Sequence, residues 1–208
     1  SPEEALKVTH DAEGDYTMTT RFIEEVLKER KPALSVLWQC EPDHSQHGSV
    51  LGSSEHLAAI AAADANAGRV ADAIDMNNEE VLLLICSDHG HETVGHIIDL
   101  EGALIEAGFK ASRKSRECVV ASQGLSAFIY LSKEAMNQLP FILEWLPNIE
   151  GVGAIYTGDE LARLGQAKGD ALAILIDGTK SNAVNEYGIA GISAAFFDQF
   201  STETVPGI

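Results

Sequence analysis

The chain has 208 residues, 45% hydrophobic and 22% charged, the balance of a soluble globular protein long enough to bury a core. Its 14 Lys and Arg against 32 Asp and Glu leave a formal charge of −18, which argues against a nucleic-acid polymer or an anionic membrane surface as partner, since both require clustered cations. No apolar run reaches the roughly 18 residues of a spanning helix, and no secretory leader pattern is evident.

After a polar segment up to Asp15, the spacing of Phe22, Ile23, Val26 and Leu27 predicts an amphipathic helix over 16–30. Lys31-Pro32 should stop it, because proline lacks the N–H and disfavours helix at the preceding residue. Ala33 to Gln39 is a short apolar run, the pattern of a strand buried on both faces, and the polar loop EPDHSQHGS follows. Ser54 to about Met76 is alanine-rich and periodic, with Leu57, Ile60, Val70 and Ile74 on one stripe and Ser53 or Ser54 as N-cap. Asn77-Asn78 supply turn chemistry. Val81 to Cys86 is a second apolar strand, followed by the loop SDHGHE, and Asp99 to Ala107 reads as a helix capped by Asp99 and closed by Gly108.

Strand, loop, helix in repeated order predicts an α/β protein with a mainly parallel sheet flanked by helices. The middle differs in texture: CVVAS and SAFIYL form two short strands around Gln123-Gly124. A helix from about Lys133 to Trp145, interrupted by Pro140, comes next, then GVGAIYT and the short helix GDELARLG. This is the pattern of a small inserted α+β lobe over about 110–165. ALAILID, Ala171 to Asp177, restores the main-sheet texture, so the α/β core is expected over 1–109 and 166–208. Beyond Gly178 the periodicity is too weak to assign elements. Cys40 and Cys86 close the two apolar strands as small buried hydrophobes, and Cys118 opens another. Three irregularly spaced cysteines suit a reducing compartment, so a cytoplasmic location is expected ahead of a secreted one. Trp38 and Trp145 read as core or interface aromatics.

Two loops carry metal-type chemistry. In Asp43-His44-Ser45-Gln46-His47-Gly48 a carboxylate precedes an imidazole by four residues, and Gly48 allows the tight turn needed to close both on one cation. In Ser87-Asp88-His89-Gly90-His91-Glu92, successive Asp and His side chains point apart and can serve neighbouring metals about 4 Å apart. Either loop alone is weak; two, each directly after an apolar strand at the end where α/β sheets bind ligands, are far less expected by chance. Mixed carboxylate and imidazole donors suit zinc, with manganese as the alternative, and two such ions suit hydrolysis of a phosphate ester.

PD-x-x-x-HG followed by SDHG, each after a hydrophobic strand and joined by a helix carrying Asp64, resembles the alkaline phosphatase superfamily. The nearer likeness is to its type I phosphodiesterase/nucleotide pyrophosphatase branch, which includes phosphonoacetate hydrolase. The resemblance implies two divalent metal ions, Asp43 and His47 on one and Asp88 and His89 on the other. It implies a small anionic ester as substrate (phosphate diester, phosphonate or relative) and a Thr or Ser nucleophile. It covers about residues 17–100 well. The family places an early Asp ligand and the nucleophile in a half that precedes the first motif, and a late His in a Gly-His-Gly setting; no segment here resembles either. The chain is therefore expected to be the C-terminal portion of a larger enzyme, with the missing N-terminal half as its partner. A non-catalytic domain of the same fold, or a phosphomutase or phosphotransferase of the superfamily, are the alternatives.

Other polar residues are read beside these. His91 either contacts substrate or metal or is a solvent-facing loop residue, and His44 is a supporting or exposed group. Glu92 and His96 either orient ligands or are simply solvated. His10 and His56 are expected at the surface, Asp64 is expected to bond the neighbouring loop, and Thr17, Thr19 and Thr20 form a solvated helical turn rather than a nucleophile.

Overall fold

Asp11 starts the first helix, α1 (Ala12–Arg21): its carboxylate accepts from the Gly14 N–H at 2.9 Å and from the Thr9 hydroxyl at 2.7 Å. Those bonds, the first above all, hold the Asp11 carboxyl below the usual range. The computed structural model describes residues 8–74, 78, 80–166 and 171–197. A π-helical stretch, Phe22–Arg30, continues α1 and ends where Lys31 turns left-handed (φ 45°) ahead of Pro32, at the expected stop. A short helix α2 (Asp43–Gly48) precedes α3 (Ser54–Ala73), which Ser53 caps through the His56 N–H.

Helices α1 and α3 pack together, with the Arg69 guanidinium 3.9 Å above the Tyr16 ring and bonded to the Thr20 hydroxyl. The buried face of α3 is Ala59, Asn66 and Val70, whereas Leu57 and Ile60 are exposed, contrary to the expected stripe. Val70 of the expected stripe is buried, while Ala59 and Asn66 take the place expected of Leu57 and Ile60. Asn78 makes the expected turn through the N–H groups of Glu80 and Val81; Met76 and Asn77 lie outside the described residues.

The two expected buried strands do not form. Among the described residues no backbone group of Ala33–Gln39 or Leu82–Cys86 is hydrogen-bonded. Leu34, Val36, Trp38, Leu82, Leu84 and Ile85 are all more than two-thirds exposed, and Cys86 is exposed with them. A strand buried on both faces needs paired edges and covering layers, and the described residues supply neither.

The second compact unit begins at Glu92. β1 (Thr93–Ile98), which its Gly and His hid from the apolar pattern, pairs in parallel with β7 (Ala190–Phe196). β7 in turn pairs antiparallel with β6 (Lys180–Val184). Asp99 caps α4 (Leu100–Glu106) as expected, and Gly108 follows its C-cap at φ 79°. A four-stranded antiparallel sheet runs β2 (Cys118–Gln123), β3 (Ser126–Leu131), β5 (Leu172–Gly178), β4 (Val152–Thr157). ALAILID is therefore not a return to a parallel sheet; it is hydrogen-bonded between β3 and β4. In β3 alternate residues Ala127, Ile129 and Leu131 are buried, the period-two signature of a half-buried strand. Pro140 sits in the first turn of α5 (Leu139–Trp145) and so begins that helix where an interruption was expected, while α6 (Asp159–Arg163) is a single turn.

One core unites these elements: Leu104, Ile129, Ile142, Leu146, Ile174 and Phe196 are fully buried in it, and Trp145 packs against it with Phe109 at 5.2 Å between ring centroids. Gly178 is required where β5 meets β7, because a Cβ there would lie 2.0 Å from the Ala194 carbonyl oxygen. The class is α/β, with a mixed sheet and parallel pairing confined, among the described strands, to β1 and β7. Among the described residues no helix is long and apolar enough to cross a membrane.

Lys110 is buried in this unit, donating to the Ser115 carbonyl at 2.7 Å and to the Cys118 carbonyl, with Glu101 at 3.4 Å. Lys110→Met keeps the stem volume but strands both carbonyls and leaves the Glu101 carboxylate to Arg113, 3.0 Å away. It should cost about 2–4 kcal/mol in urea-unfolding stability; a loss below about 0.5 kcal/mol would show that water replaces the ammonium freely.

Candidate metal centre

Helix α1 builds the approach to the first motif. The buried carboxylate of Asp15 accepts from the backbone N–H of Cys40 at 3.1 Å and of Glu41 at 2.8 Å. One turn on, the fully buried Thr19 hydroxyl accepts from Gln39 Nε2 at 3.0 Å, so it is not part of a solvated turn; Thr17 is exposed and bonds back to the Glu13 carbonyl. Glu41, also buried, takes the Ser45 N–H at 3.2 Å and hydroxyl at 2.9 Å, supplying a carboxylate to the start of α2, whose N-cap residue Pro42 has no side chain to do so. On sequence alone Asp15 and Glu41 have no assigned role and Thr19 belongs to a solvated turn. The signal was available for two of them: Asp15 and Thr19 stand at i, i+4 on the face that continues to buried Ile23.

The EPDHSQHGS segment is not a loop but contains α2, and that explains its spacing. Residues four apart on a helix share a face, so Asp43 and His47 stand together, Oδ1 to Nε2 3.4 Å. Gly48 ends the helix in open space and without a left-handed backbone, so the turn does not depend on it. The second motif brings two more imidazoles to the same oxygen: His91 Nε2 lies 2.9 Å and His89 Nε2 3.8 Å from Asp43 Oδ1. Asp88 Oδ2 is 3.5 Å from His89 Nε2. Thus the four expected ligands, Asp43, His47, Asp88 and His89, are linked in one chain of contacts, with His91 among them.

The side chains of Asp43, His47, Asp88 and His89 are about half exposed, whereas that of His91 is 4% exposed. Its ring meets His47 edge-on at 5.0 Å and His89 at 5.4 Å between centroids, and its Nδ1 is buried without a hydrogen-bond partner among the described residues. Burial lowers the His91 pKa, against the opposing hydrogen bond and charge of Asp43. One donor atom each from Asp43, His47 and His91 lies within 4.8 Å of the others. Zinc bonds of 2.0–2.1 Å place tetrahedral donors about 3.3 Å apart, so the donor types and spacings fit a cation of that kind.

Other candidates fall outside the cluster. His44 and His10 are exposed, and the exposed Asp64 side chain makes no hydrogen bond among the described residues, contrary to its expected tie to a loop. His56 is not a bare surface residue: Nδ1 accepts from the Gly52 N–H at 2.8 Å and Nε2 meets Gln46 at 2.9 Å. Glu92 and His96 belong to the second unit. There the Glu92 carboxylate binds Lys180 and Ser193, which hold it below the usual range, and His96 is exposed on β1.

Asp15→Ala leaves two buried N–H groups unpaired just before the first motif. It should cost about 2–3 kcal/mol in unfolding free energy, and hydrogen exchange at the Cys40 and Glu41 amides should accelerate; unchanged exchange at both would remove the clamp.

Comparison with solved structures finds phosphonoacetate hydrolase from Sinorhizobium meliloti 1021, in complex with phosphonoacetate, at a TM-score of 0.60 and 14% identity. The match covers 93% of this chain and 46% of that one, so the chain spans about half the length of the similar structure, and the likeness is one of fold. No curated protein matches the sequence. The family model for type I phosphodiesterase/nucleotide pyrophosphatase matches residues 2–154, most of the chain including both motifs, and the chain belongs to that family.

Proposed function

We propose that this chain carries the metal-holding part of a hydrolase acting on phosphate diesters, phosphonates or related small anionic esters. The observation that carries the reading is the convergence of three imidazoles on the Asp43 carboxylate. Asp43 and His47 would hold one divalent cation, Asp88 and His89 a second, with zinc preferred for this donor set and manganese the alternative. When bound, the two ions neutralise phosphoryl charge and lower the pKa of an attacking oxygen. The protein's own part is positional. Helix α2 fixes the Asp43–His47 pair, and buried Asp15 and Glu41 fix α2 through the backbone. The nucleophile, a Thr or Ser, is expected outside these 208 residues.

Zinc analysis by mass spectrometry tests the metal reading. Up to two ions per chain are expected after incubation with zinc, with a lower content in Asp88→Ala and His89→Ala; none at stoichiometric level would favour a non-catalytic domain. Turnover of a chromogenic phosphodiester by the isolated chain should be absent or severely impaired. Robust turnover abolished by Asp88→Ala would place the nucleophile within the chain.

The exposed segments belong to the same reading. Six large apolar side chains and two stretches of unpaired backbone directly precede the motifs. We infer that they are covered by polypeptide equivalent to the part of the phosphonoacetate hydrolase chain that this one does not span. In the isolated chain a maleimide at pH 8 should modify exposed Cys86 within minutes. Cys40 and Cys118, whose thiols burial pushes up to about 11, should react only after denaturation. Protection of Cys86 would mean that this segment is already covered.

A further inference from the structure

The family resemblance gives His91 no defined role, yet His91 is the most buried ring of the cluster and the one nearest the Asp43 carboxylate. We propose that His91 is itself a ligand of the cation held by Asp43 and His47, giving that site two imidazoles and one carboxylate. This rests on the metal-dependent reading above.

Three observations support it. The separations of Asp43 Oδ1 from His91 Nε2, 2.9 Å, and from His47 Nε2, 3.4 Å, bracket the roughly 3.3 Å edge of a tetrahedral zinc shell. The donors also come from two directions. Asp43 and His47 form one edge on the face of α2, and His91 enters from the second motif, so three donors can form the triangular base of a site whose fourth position stays open. Finally, the ring is packed edge-on against His47 and tilted against His89, so its orientation is set before any ion arrives. His47 and His89 each share one of those contacts but stand half exposed. A ring that only donated its Nε2 proton to Asp43 would be a positioning residue, and the two roles make different demands on chemistry: a ligand must offer an imidazole lone pair, whereas an orienting donor needs only an N–H.

The test uses the 208-residue chain, zinc titration against a chromophoric chelator, and the visible spectrum of the cobalt(II) form. His91→Ala and His91→Gln should each weaken the Asp43–His47 site by about a hundredfold, and the cobalt bands of both should lose intensity or shift. A second readout needs no variant: in a long-range proton–nitrogen spectrum of the unaltered chain, zinc should move the His91 Nε2 resonance into the range of ligated nitrogen. Wild-type affinity and spectrum in His91→Gln, with loss only in His91→Ala, would make His91 a positioning residue and overturn the proposal. Unchanged affinity in both variants, or an unmoved His91 resonance beside zinc-shifted His47, would overturn it and leave the metal reading intact. An unaltered chain that takes up no zinc would overturn both.

Discussion

The first unit is organised by a buried carboxylate that performs no chemistry. Asp15 grips two consecutive backbone N–H groups at the point where the chain leaves an unpaired apolar segment and enters α2. A carboxylate taken out of water must be met by donors, and here the donors are the main chain itself. The clamp therefore couples the burial of α1 against α3 to the position of Asp43, three residues past the first gripped amide. Thr19 extends the grip through Gln39, and Glu41 passes it on to Ser45.

What stands beyond the clamp is a set of groups that do not stabilise one another strongly without a cation. His47 and His89 gain little from the Asp43 carboxylate while half exposed to water, and the buried His91 keeps a ring nitrogen without a hydrogen-bond partner among the described residues. On the proposed reading a divalent ion would turn the same arrangement into a favourable one, because each lone pair would then meet positive charge. It also bears on the chain's charge of −18, which repels an anionic ester at long range; on the proposed reading, bound cations reverse the field only locally, where the ester must sit.

The two apolar segments follow a complementary logic. Leu34, Val36, Trp38, Leu82, Leu84 and Ile85 have the composition of a sheet interior but stand exposed, with their backbone unpaired among the described residues. By contrast, the sheet of β2, β3, β5 and β4 finds its pairing within the second unit, and its buried core there is covered by α5. The difference is one of partners: every strand of the second unit meets a described neighbour, near in sequence or far, whereas none among the described residues pairs with these two segments.

Much of this was legible in the residues alone. Helix caps at Ser53 and Asp99, the stop at Lys31-Pro32, the hairpin around Gly124 and the pairing of Asp43 with His47 all follow from local chemistry, in which a side chain and its partner are separated by a few positions. The family resemblance was legible for the same reason, since its motifs are short and sit in defined local settings. Tertiary structure decided the rest. Asp15, Thr19 and Glu41 read as ordinary polar residues until a distant backbone segment comes to lie against them, and His91 reads equally as a substrate or metal contact or as a solvent-facing loop residue until two other rings close over it. ALAILID is equally apolar in either sheet, and only the neighbours β3 and β4 settle which it joins. Periodicity reports which face of an element is apolar; it does not report which other element arrives to cover it, and burial, pairing and metal-type geometry all depend on that arrival.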